Sequence, residues 1–130
     1  MTDDDHKNYW LKNAERDWER ANMCFNQKDY VFCLFCLHLT LEKICKAIWV
    51  YNKKENHPPR IHNLEKILLQ TSVELKEEDW NLLVNMNRFN LEGRYPDYKD
   101  LLYKECSKEF TEQLFNQVEE LKICLLKKLQ

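Results

Sequence analysis

Residues 30–51 read YVFCLFCLHLTLEKICKAIWVY, a run that is apolar on nearly every face when wound as an α-helix. A helix of this kind needs neighbours all round, so it belongs at the centre of a helical fold. Its most apolar part, Tyr30 to Leu41, is too short to cross a bilayer and is interrupted by His38 and Thr40. Asp29 is a suitable N-cap, and the helix is expected to run to about Lys54. Beyond it, ENHPPRIHN cannot continue a helix, because Pro58 and Pro59 remove donors and restrict the residues before them.

The rest of the chain supplies the neighbours. Trp10, Ala14, Trp18, Ala21 and Phe25 fall on one stripe of a preceding amphipathic helix, with Asp3 to Asp5 expected as a frayed, solvated start. His62 or Asn63 caps a short third helix in which Leu64, Ile67 and Leu68 share a face. A fourth helix begins near Lys76 to Asp79, turns Trp80, Leu83, Met86, Asn87 and Asn90 inward, and ends at Gly93, with Pro96 enforcing the stop. A polar connection holding Tyr95, Tyr98 and Tyr103 follows. Ser107 then caps a last helix with Phe110, Leu114, Val118, Leu121, Leu125 and Leu129 in register. Glu109 and Glu112 near its start and Lys127 and Lys128 near its end complement the helix dipole. No run alternates apolar and polar residues as a strand does. The expected architecture is all-α, an antiparallel bundle of about five helices in one domain spanning residues 1–130.

Composition narrows the function classes. The 20 basic and 22 acidic side chains leave a formal charge of −2, without the basic excess of a general nucleic-acid binder. Among six cysteines only Cys33 and Cys36 form a C-x-x-C, inside an apolar helical run with no turn and no second ligand pair at matched spacing. Reduced core thiols are expected, with no metal and no cofactor. The start MTDDDHKNYW has no basic region leading into an apolar run, so the protein is expected to be soluble, cytoplasmic and independent of membranes.

Two places can carry chemistry. NRFNLEGRYPDY, residues 87–98, gathers Arg88, Arg94, Tyr95, Tyr98 and the chain's single glycine around a helix end. The glycine and proline serve as punctuation; the guanidinium groups suit phosphate oxygens, and a tyrosine suits stacking on a base. The competing reading has Glu92, Arg94 and Asp97 forming an ion-pair lattice over a buried Tyr95. The second place is on the central helix, where His38, Glu42, Lys43 and Lys46 share one strip at spacings of three and four. They are either an acid–base or metal site, or a seam in which Glu42 pairs with Lys46 and His38 bonds nearby.

Taken in order, Ala14, Asp17, Trp18 and Ala21, the strip from His38 through Glu42 and Lys46 to Ala47, Pro59 with His62 and Leu64, and Arg94-Tyr95-Pro96-Asp97 resemble the HEPN domains, over most of the chain. The resemblance implies a small helical bundle. It also implies one of two functions. Many members are metal-independent, toxin-type ribonucleases with an R-x4-6-H motif, completed by dimerisation. Here Arg88 is followed by Arg94, and no histidine occurs after His62. The other branch binds nucleotide or partners a minimal nucleotidyltransferase without catalysis of its own, and this chain looks like that branch. The resemblance therefore implies a homodimer whose groove is lined from the Arg88 to Tyr95 region, a nucleotide or RNA as ligand, and a nucleotidyltransferase as partner; the candidate ligand-binding residues are Arg88, Arg94 and Tyr95 there and, from the spacing on the central helix, His38, Glu42 and Lys46.

Overall fold

The computed structural model describes residues 2–92 and 95–130, without the side chains of Asp3, Leu91, Glu92, Pro96 and Tyr98. All regular structure among them is helical: α1 (Asp3–Asn26), α2 (Tyr30–Lys53), α3 (Leu64–Leu69), α4 (Glu77–Glu92), α5 (Pro96–Glu105) and α6 (Lys108–Lys127). The expected all-α bundle is present, with six helices where about five were anticipated.

The additional helix is α5, where the sequence suggested a polar connection. Pro96 does not merely end what precedes it. It stands in the first turn of α5, where its missing N–H costs nothing and its fixed φ favours helix. Leu102 and Cys106 anchor that helix in the core, while Leu101 and Tyr103 face out. The start of α1 also differs from expectation, because Asp4 and Asp5 are exposed yet not frayed. The Asp5 carboxylate accepts from the Thr2 backbone N–H and the Thr2 hydroxyl accepts from the Asp5 N–H, a reciprocal capping box.

Packing follows the sequence pattern. Helix α2 touches all five other helices, and sixteen of its residues from Val31 to Val50 are buried. Leu64, Ile67 and Leu68 of α3, Leu83 and Met86 of α4, and Leu114, Val118, Leu121 and Leu125 of α6 complete the core. Asp29, Asn63 and Ser107 cap α2, α3 and α6, each accepting from a backbone N–H three residues on. The α1–α2 turn closes with a bond from Asp29 N–H to the Cys24 carbonyl, and Lys28 takes the left-handed position at φ 65°. All six cysteines are free. Burial pushes the Cys36 thiol up to about 12 and raises those of Cys33 and Cys45. No helix among the described residues is long and apolar enough to cross a membrane.

Candidate functional site

The polar strip on α2 is tied together and to the segment before α3 by hydrogen bonds. Glu42 lies inside the bundle and accepts from Lys46 Nζ at 3.2 Å and from His62 Nδ1 at 2.8 Å. Since an ionised carboxylate only accepts, Nδ1 of His62 carries the proton. His38 Nε2 lies 2.9 Å from the His62 carbonyl, so Nε2 of His38 is likewise the donor. The Lys46 ammonium also sits 5.6 Å from the centre of the Trp10 ring. His62 is therefore not the helix cap; that role falls to Asn63, and the Asn63 carboxamide in turn accepts from Asn87. Asn87 also accepts from the Leu64 N–H, which docks the start of α3 on α4.

Asp17 of α1 is buried between Arg20, at 2.8 Å, and Lys43, the residue after Glu42 on α2. The Asp17–Arg20 contact follows from their i, i+3 spacing on α1, but no local pattern marked Lys43, 26 positions away, as the second partner. No group of three or more His, Cys, Asp or Glu side chains among the described residues can hold a metal. Glu42 is thus bonded to both Lys46 and the His62 ring, and His38 to the His62 carbonyl, which makes the three a seam between α2 and the segment leading into α3.

The helix end around Arg88 has a different character. Arg88 NH1 and NH2 donate to the two carboxylate oxygens of Glu105, at 2.9 and 2.6 Å, a bidentate pair joining α4 to the end of α5. The guanidinium also lies 5.1 Å from the centre of the Phe89 ring. Both side chains remain partly open to water, 31% for Arg88 and 41% for Glu105. The hydrogen bonds from Arg88 hold the Glu105 carboxyl below its usual range. Tyr95, expected under an ion-pair lattice, is instead 52% exposed at the N-cap of α5 and makes no side-chain cap bond. Gly93 and Arg94 lie outside the described residues, as does the side chain of Glu92, so the lattice itself falls there too. Glu105 was not anticipated as a site residue. It is 17 positions from Arg88, and only the unforeseen α5 brings it back.

The fold is shared with the crystal structure of TT1696 from Thermus thermophilus, at a TM-score of 0.78 with 94% of this chain and 97% of that one covered. At 15% identity this likeness speaks to fold alone. No protein of curated function matches the sequence. The HEPN domain family matches residues 8–129, almost the whole bundle with both polar regions inside it, and the chain belongs to that family.

Proposed function

We propose that the protein is a HEPN module without catalysis of its own, which binds nucleotide or nucleic-acid phosphate at the α4–α5 end and serves, as a homodimer, a minimal nucleotidyltransferase partner. The observation that carries this reading is the bidentate grip of Arg88 on Glu105, a planar fork already set to hold two oxygens of an anion. Support comes from what surrounds it. Tyr95 presents an exposed ring at the start of α5, suited to a base, and Leu101 and Tyr103 leave apolar area on α5 for a protein surface. Proton transfer, by contrast, lacks its residue: the motif histidine after Arg88 is missing, and the buried histidine, His38, is engaged with the α3 segment.

The test is a thermal-shift series on the purified protein with ATP, GTP and a short RNA, repeated on Arg88→Ala and Tyr95→Ala. A ligand that binds only the folded state raises the melting temperature by mass action. The expected outcome is a rise with wild type, reduced in Tyr95→Ala and lost in Arg88→Ala, with the RNA recovered uncut. RNA cleavage that disappears in Arg88→Ala would replace this reading with the toxin-type ribonuclease.

A further inference from the structure

We infer that Glu105 is a built-in competitor for the phosphate place on Arg88, so that the site responds to terminal phosphates and not to the internal phosphodiesters of nucleic acid. This rests on the reading of Arg88 as a phosphate contact. The two Glu105 oxygens take hydrogen bonds from NH1 and NH2 in the geometry a phosphate would use, so an incoming anion must displace them. Because the carboxylate belongs to the same chain, it competes at a high effective concentration. It weakens every anion by a common factor, which leaves only the stronger ligands at useful occupancy.

Charge decides which those are. An internal diester carries one negative charge, as the carboxylate does, and gains little by the exchange. A terminal phosphate carries roughly 1.5 to 2 charges near neutral pH, with three acceptor oxygens, and retains a margin. Helix α5 offers no basic field to help a diester backbone, since Lys99 and Lys104 are outnumbered by Asp97, Asp100 and Glu105.

Release of Glu105 is also easy. It is the last residue of α5, where a negative charge opposes the helix dipole, so the helix does not favour an acid there and Arg88 does. Its carboxylate is partly exposed and turns into water, where salt screens its repulsion toward the bound phosphate.

The experiment is calorimetric titration of the full chain with adenosine 5′-monophosphate and with a dinucleoside monophosphate that has one internal phosphodiester and no terminal phosphate. Wild type should bind the monophosphate and give no measurable heat with the diester. Glu105→Gln should tighten the monophosphate about 1.4- to fivefold, the factor expected on losing an exposed ion pair as competitor, and strengthen diester binding by the same factor. Arg88→Ala should lose both ligands. In wild type, the Glu105 side-chain carboxyl resonance, followed by NMR, should move toward its solvated position as the monophosphate saturates, a change that a purely structural pair would not show.

The failures separate. Monophosphate binding that survives Arg88→Ala, or is absent from every variant, overturns both this inference and the phosphate site beneath it. Binding lost in Arg88→Ala but not tightened in Glu105→Gln leaves the site standing and removes the competitor. Equal affinity of wild type for the two ligands overturns the preference for terminal phosphates.

Discussion

Two carboxylates, Glu42 and Glu105, each meet a cation, and the same chemistry has opposite consequences at the two ends of the molecule. Glu42 and Lys46 are both buried, and His62 occupies a second position on the carboxylate. Desolvation of both charges means that neither can be left alone without a large cost, so the strip acts as a fixed joint between α2 and α3. Glu105 and Arg88 form the better-shaped bond, bidentate and short, yet they stand partly in water. There the competing solvation is close to hand and the net contribution is small. Bond geometry alone would rank the pairs the wrong way round for stability. Exposure ranks them, and it also identifies the pair that a ligand can open.

The largest loss is expected at Glu42. Glu42→Ala strands the buried Lys46 ammonium and should cost about 3–5 kcal/mol in urea or guanidinium unfolding. A loss smaller than the Arg88–Glu105 coupling would overturn the contrast. His62→Ala removes one charge-assisted bond but leaves Glu42 on Lys46, and His62 is half exposed, so the expected loss by the same measurement is about 1.5 kcal/mol. A double-mutant cycle on Arg88 and Glu105 should return a coupling of only about 0.2–1 kcal/mol, shrinking further at high salt.

The smallest effect is the pH dependence of that coupling. Arg88 depresses the folded Glu105 carboxyl below its usual 4.5. The unfolded chain therefore takes up the proton first, and the contribution is complete above about pH 4.5 and lost as pH falls through the lower, folded value. Unfolding curves of wild type and Glu105→Gln should accordingly converge on acidification.

Much of the fold was legible because apolar spacing and caps report directly on burial. The stripes of α1, α3 and α6 and the caps Asp29, Asn63 and Ser107 all stand where periodicity and side-chain type put them. The Glu42–Lys46 pair was legible for a similar reason, since a spacing of four on one helix implies contact. Helix α5 was not, because its ten residues bury little apolar surface and its opening Pro96 signals a stop as readily as a start. With α5 unrecognised, Glu105 had no reason to be placed beside Arg88. His62 escaped for another reason: it lies outside any helix, and its partner Glu42 is twenty positions away, beyond what local patterning can report.

Helices α1 and α2, each of 24 residues, are joined by a turn of three residues and share the most extensive packing among the described residues. In kinetic terms this makes half of the bundle's framework a problem of short loop closure. The α1–α2 hairpin can therefore collapse on itself early, with the Lys28 turn as its pivot, while α6 must close a far longer loop to reach α2. Substitutions in the α1–α2 contact, such as Ala21→Gly, should thus slow refolding, and those on α6, such as Val118→Ala, should chiefly hasten unfolding.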